Sequence, residues 1–284
     1  MFVTSVDLID VFEDTEKWYQ TDETLKEAVK KSIDNTKLYM EGELPNITKE
    51  KSPEETIVTV SKYRKFETAK FYKLKNFELN VALLNFASAT NPGGGVAHGS
   101  RAQEEALCRC STLYPTLATD TLWKKYYKFH RERNDTRYTD ACIYTPDILV
   151  IKSDISIPQR LPKDKWIKVD VLSCAAPNLR LRSNNKYNPG AGKHIAVSND
   201  ELYDIHTSRA KQILTVAAHH GVDVLILGAF GCGAFQNDPS VVAKAYADVI
   251  PQFNGYFKEI NFAIYCPPNR GNENYTTFAK VFNN

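Results

Sequence analysis

From Glu55 onward the chain alternates short apolar, β-branched runs with helical stretches, and that alternation narrows the fold more than any other feature. "ETIVTVSKY", "NVALLNFAS", "DILVIKS", "IKVDVLSCAAP", "VDVLILGAF" and "EINFAIYC" have the composition of strands. Between them, "SRAQEEALCRC", "SRAKQILTVAAHHG" and "DPSVVAKAYADVI" place apolar residues at helical spacing. The pattern predicts an α/β fold whose sheet is largely parallel or mixed and covered on both faces. Before Glu55, "SVDLIDVFEDTEKWY" and "ETLKEAVKKSIDNTKLYM" read as helices, and the polar, proline-containing "EGELPNITKEKSPEE" as a joint. The expected division is a helical extension over 1–54 and an α/β domain over 55–284. "RLRSNNKYNPGAGKHIAVSND", rich in Asn, Gly and basic residues, is the candidate for a long loop.

Charge and cysteine content remove several function classes. The net charge of +2 over 284 residues creates no global field for nucleic acid or an anionic membrane, so sequence-specific nucleic-acid binding is not expected. The longest apolar run is broken by glycines, and the N-terminus lacks the basic start of a signal peptide. The six cysteines form no CxxC pair and read as reduced, mostly buried thiols. The expectation is a cytoplasmic chain, with the nucleus as the alternative in a eukaryotic cell, and no bound metal.

Two glycine-rich segments follow strand-like runs. One is Asn91 to Gly95, "NPGGG", after "NVALLNFAS"; the other is Gly228 to Phe235, "GAFGCGAF", after "VDVLIL". Ligands of open α/β sheets sit beyond the carboxyl ends of the strands. Glycine lets backbone amides converge there without a Cβ in the way, which suits phosphate oxygens. A single such loop is equally well a tight turn. Two in one chain favour a diphosphate-type ligand. "GCGAFQ" gives G-x-G-x-x-Q, not the G-x-G-x-x-G of a dinucleotide fold.

Seven residues after the glycines come Gln103, Glu104 and Glu105, at the expected start of a helix. Adjacent helical residues point about 100° apart. The two carboxyls therefore cannot flank one glycosidic bond as paired glycosidase acids do. One can reach the reacting bond while the other grips a hydroxyl. The alternative is an ordinary acidic helix start, welcome against the dipole.

"LNFASATNPGGGVAHGSRAQEEALCRCSTLYPTL" resembles the microbial-type poly(ADP-ribose) glycohydrolases, whose signature is GGG, a short spacer, then QEE. The likeness continues through "YTDACIYTPDILVIKSD", "VDVLSCAAPN" and "LILGAFGCGAFQNDPSVVAKAYADVI", roughly residues 55–284. The resemblance implies a macrodomain, a three-layer α/β/α sandwich around a mixed sheet that binds ADP-ribose and needs no metal or cofactor. It implies that Glu105 is the catalytic acid and that Glu104 holds a ribose. Asn85 and Asn91 match polar positions beside the distal ribose. Gly93, Gly94, Gly95 and Gln103 belong to the signature itself. In the second loop Gly228, Ala229, Phe230, Gly231, Cys232, Gly233 and Ala234 would hold diphosphate and ribose, under the aromatic cover of Phe235. Many macrodomains grip adenine with an Asp after the first strands, but "SKYRKFETAKF" has none. Tyr275 and Phe278 are candidates to stack on the base, with plain core as the alternative.

The implied reaction splits the ribose–ribose O-glycosidic bond and releases ADP-ribose. Glu105 protonates the departing oxygen, the ligand's own diphosphate stabilises the oxocarbenium-like centre, and Glu105 then activates water. The expected partners are poly(ADP-ribose) or an ADP-ribosylated protein, met by a monomer away from any membrane. The alternatives are a hydrolase of single ADP-ribosyl units and a non-catalytic reader of ADP-ribose. A cysteine hydrolase built on Cys232 fits poorly, since Phe230 and Ala234 stand where a nucleophile elbow needs glycine.

Overall fold

The computed structural model describes residues 3–184, 189–268 and 271–283. Two helices open the chain, each stopped and started by its own side chains. In α1 (Ser5–Thr21), Thr4 and Asp7 form a reciprocal capping box. Asp22 then caps α2 (Glu23–Asn35) by accepting from the Thr24 and Leu25 amides.

The residues after α2 depart from the expectation of one helix through Met40. Lys37–Tyr39 instead form β1, antiparallel to β4 (Cys142–Val150). β2 (Ile57–Ser61), β3 (Val81–Phe86) and α4 (Gln103–Cys110) fall where expected, and a further helix, α3 (Lys65–Lys75), lies between β2 and β3. Short helices α5 (Leu113–Leu117), α6 (Asp120–Leu122) and α7 (Lys128–Arg133) lead into β4 and β5 (Ile167–Cys174). Then come α8 (Asn199–His219), β6 (Val224–Leu227), α9 (Pro239–Val249), β7 (Glu259–Ala263) and α10 (Glu273–Phe282).

Among the described residues the strands form one seven-stranded sheet in the order β1-β4-β5-β3-β6-β7-β2. The pairs from β5 through β3, β6 and β7 to β2 are parallel, whereas β4 runs against both its neighbours. β3 and β6 are apolar nearly throughout because both faces are covered. One face, with Leu84, Leu172, Leu225 and Phe262, packs on α8, α9 and Phe278 of α10. The other, with Leu83, Val171 and Ile226, packs on Phe66 and Ala69 of α3, Leu107 and Cys108 of α4, and Phe12 of α1. The chain is a three-layer α/β/α sandwich.

The described residues before Glu55 are woven into these layers. Phe12 is buried and meets the Tyr114 ring edge-on at 4.9 Å. Thr15 donates to the Arg109 carbonyl at the end of α4 at 2.7 Å. The expected joint, 41–55, carries no helix or strand. The expected long loop, 180–200, is without helix or strand until α8 begins at Asn199, its residues 185–188 lying outside the described ones. No helix among the described residues is long and apolar enough to cross a membrane.

Candidate active site

β3 lies between β5 and β6, all three parallel, and chain connections leave it toward both sides. That is the switch point where open sheets hold ligands. A cleft of about 890 Å³ opens there, beyond Phe86 and Leu227 at the ends of β3 and β6. Both glycine segments reach it. Gly94 and Gly95 stand on one side, and Ala229, Phe230, Gly231, Gly233, Ala234 and Phe235 on the other.

Helix α4 is fastened to the end of β3 by the residue that starts it. The Gln103 amide donates to the Leu84 carbonyl at 2.9 Å, and its oxygen accepts from the Phe86 amide at 2.8 Å. Both halves of that amide are thus engaged with backbone, and the next two side chains are aimed by it. Glu104 Oε2 accepts from the Ser88 amide at 2.7 Å, and Oε1 from Asn85 Nδ2 at 3.3 Å. Asn85 also donates to Ser173 Oγ of β5 at 3.0 Å. Glu104 is therefore a fixed acceptor, seated against β3.

Glu105 turns the other way, toward the glycines. Its Oε1 accepts from the Gly95 amide at 2.9 Å, while Oε2 is buried with no partner. Gly94 makes this approach possible. It has φ +59°, and a Cβ there would lie 2.6 Å from Glu105 Oε1 and 3.1 Å from Glu104 Oε2. Both carboxyls line the cleft and are buried, so desolvation raises both above the ordinary carboxylate range. For Glu104 the neighbouring Glu105 charge adds to burial. For Glu105 the Gly95 amide and the Arg109 guanidinium pull the other way. A buried acid with a raised pKa and one unengaged oxygen can carry a proton to a leaving group.

Several residues singled out in the sequence stand one layer behind this surface. Asn85 backs Glu104. Asn91 donates to the Pro189 carbonyl at 3.1 Å and accepts from Arg131. A Cβ on Gly93 (φ +67°) would strike the Tyr114 ring at 2.7 Å, and one on Gly228 the Ala263 carbonyl at 2.8 Å. Cys232 packs its thiol toward the Phe230 carbonyl, and burial drives its pKa up, which suits a packed thiol rather than a nucleophile. Phe235 lines the cleft with the Arg180 guanidinium 5.6 Å from its ring centroid. Among the described residues no three His, Cys, Asp or Glu side chains gather in a metal-holding group.

The sequence of residues 9–153, half of the chain, matches the family described as microbial-type PARG, catalytic domain. The chain belongs to that family. Solved PARG structures are similar along nearly its whole length. The poly(ADP-ribose) glycohydrolase of Thermomonospora curvata is 28% identical with a TM-score of 0.80, covering 97% of this chain and 99% of that one. Its complex with the inhibitor ADP-HPD is 29% identical, with a TM-score of 0.80 and the same coverage. The Deinococcus radiodurans enzyme in complex with ADP-ribose is 27% identical with a TM-score of 0.73, covering 90% and 97%. No curated protein matches the chain in sequence.

This PARG-family cleft also contains residues that sequence reasoning passed over. Arg64 and Lys65 enter it from the start of α3, Phe86 from the end of β3, Asp154 from beyond β4 and Tyr265 from beyond β7. Asp154 accepts from the Phe66 amide at 3.2 Å, and burial raises its pKa to about 6. The Arg64 guanidinium lies 3.9 Å from the Tyr265 ring centroid. Of the residues named as base-stacking candidates, Phe278 is fully buried core, and Tyr275 packs against that core beneath Lys62. Only the "KSD" that ends a strand run hinted at Asp154. The others carry no motif.

Proposed function

We propose that Glu105 is the proton donor of a poly(ADP-ribose) glycohydrolase, with Glu104 as the group that fixes the reacting ribose. The chain is a glycosidase that cleaves ribose–ribose bonds of poly(ADP-ribose). One observation supports the assignment of Glu105 above the rest. Its Oε1 is anchored by the Gly95 amide, its Oε2 is buried with no partner, and the residue lines a cleft walled by the second glycine loop.

The mechanism follows from that asymmetry. The protonated carboxyl of Glu105 donates to the oxygen that leaves the anomeric carbon of the distal ribose. Glu104, held by Ser88 and Asn85, accepts a hydrogen bond from a ribose hydroxyl. The diphosphate, folded under Gly228 to Phe235, places negative charge near the oxocarbenium-like centre, as a second carboxylate does in many glycosidases. Glu105, now ionised, takes a proton from the incoming water. Gly93 and Asn91 shape the first loop from behind, and Gln103 holds α4 in register.

The base end of the ligand fits the region of Tyr63, Asp154 and Tyr265, which offers aromatic faces and a carboxyl acceptor. Residues 55–284 carry the chemistry, and the helices before Glu55 brace it. The working unit in this reading is a monomer. The buried, unpaired thiols of Cys108, Cys110, Cys142 and Cys174 suit a reducing, cytoplasmic setting.

The deciding experiment compares wild type with Glu105→Gln on the purified polymer, with products separated by chromatography. Wild type should release ADP-ribose, and the variant should bind ADP-ribose yet release none. Undiminished turnover by the variant would refute the assignment. Running a singly ADP-ribosylated protein beside the polymer separates a mono-ADP-ribosyl hydrolase from a polymer hydrolase.

A further inference from the structure

Lys65 is an anomaly in the cleft wall. It is 4% exposed and sits in the first turn of α3, where the helix dipole disfavours a cation. Its ammonium donates to the carbonyls of Ile226, at 3.1 Å, and Leu227, the two residues immediately before Gly228. It lies 4.8 Å from the centroid of the Phe86 ring. A Cβ added to Gly228 would come within 3.3 Å of Nζ. The cation is therefore packed directly beneath the entrance of the second glycine loop.

What it lacks is an anion. Among the described residues no carboxylate lies within ion-pair distance of Lys65. The acids on the same cleft wall and the same helix turn are engaged elsewhere. Asp154 accepts from the Phe66 amide and lies 3.8 Å from the Arg64 guanidinium, and Glu67 accepts from the Arg64 amide at 2.9 Å. Carbonyls and a ring face solvate an ammonium but do not neutralise it. Burying a charge without a counter-charge is costly, and burial pushes the Lys65 pKa well down. The cost is relieved when an anion enters the same wall.

We propose that Lys65 is a ligand-binding residue whose ammonium meets the dianionic diphosphate at the Gly228 end of the second loop. The proposal rests on the ADP-ribose reading given above. Its consequence is that the loop amides do not carry the phosphate charge alone: a buried cation, placed by α3 from a distant part of the chain, shares it. The ligand in turn supplies the counter-charge that the free protein lacks.

The test measures ADP-ribose affinity by calorimetry for wild type, Lys65→Met and Lys65→Arg, with the Tm of each free protein. A charge-assisted bond to phosphate predicts affinity about 10- to 100-fold weaker for Lys65→Met. Lys65→Arg should stay within about threefold of wild type, because it keeps the charge and phosphate-binding donors. Wild-type affinity in Lys65→Met would overturn the proposal. So would equal weakening in both variants, which would make the shape rather than the charge decisive. A Lys65→Met protein that is unfolded would assign the lysine to the scaffold and also overturn it. Failure of wild type itself to bind ADP-ribose would instead refute the proposed function.

Discussion

Replacing Gly94 by alanine asks whether the glycine triplet exists to let a carboxyl approach. Two costs can be read from the structure. The residue has φ +59°, where a side chain costs about 1–2 kcal/mol. The new methyl would also stand 2.6 Å from Glu105 Oε1, well inside the 3.4 Å at which ordinary contact begins. The carboxyl oxygen must retreat by the difference, 3.4 minus 2.6, about 0.8 Å, and the bond from the Gly95 amide must lengthen. Displacement of a reacting group by about 1 Å is worth on the order of 100-fold in rate. Gly94→Ala should therefore lose about 100-fold in kcat and about 2–3 kcal/mol of stability. Gly221→Ala is the control: its φ is +68°, but its Cβ would meet nothing within 4 Å. It should show the backbone cost alone, with unchanged turnover. Initial rates of ADP-ribose release and unfolding in urea measure both quantities. A Gly94→Ala enzyme working within about threefold of wild type, while losing no more stability than Gly221→Ala, would refute the steric reasoning.

Further outcomes are expected from the two acids and the first helix. Glu105→Gln should lower turnover by about 100- to 10,000-fold while leaving ADP-ribose affinity within a few-fold, checked by single-turnover assay and calorimetry. The role proposed for Glu105 requires its protonated form, and burial raises its pKa above 4.5, so kcat/KM should decline as pH rises through that raised value; a rate that climbs steadily across the same range contradicts the role. Between pH 4.5 and the raised pKa of Glu104, the folded chain holds a proton that the unfolded chain has released, so stability falls as pH rises through that window. Glu104→Gln should flatten this part of the Tm-versus-pH curve, and an unaltered slope would remove Glu104 as its cause. Phe12→Ala should cost about 3–5 kcal/mol, as for a core aromatic; a loss below about 1 kcal/mol would detach α1 from the main core.

The strand–helix alternation after Glu55 was legible because both-sided burial writes itself as unbroken apolar runs, as in Val224–Leu227. The two glycine loops were legible because each directly follows such a run, and Glu104 and Glu105 because the loop and the acids lie close along the chain. Lys65 and Asp154 were not, since they reach the cleft only through the strand order and neither stands in a motif. β1 was hidden for a different reason: three residues are too few to show an alternating pattern beside a strongly helical neighbour. Asn91, adjacent to the glycines in sequence, bonds to Arg131 and Pro189 instead of facing the cleft, so closeness along the chain did not guarantee a place on its surface.

The two walls of the cleft hang from neighbouring strands, Ala82 pairing with Leu225 and Leu83 with Ile226. Adjacent strands are held about 4.8 Å apart by their ladder of amide bonds, whatever side chains they bear. The width of the gap is thereby an inheritance of the main chain. Side chains around such a slot can be exchanged without altering its gauge, as long as the few glycines that keep it open are spared.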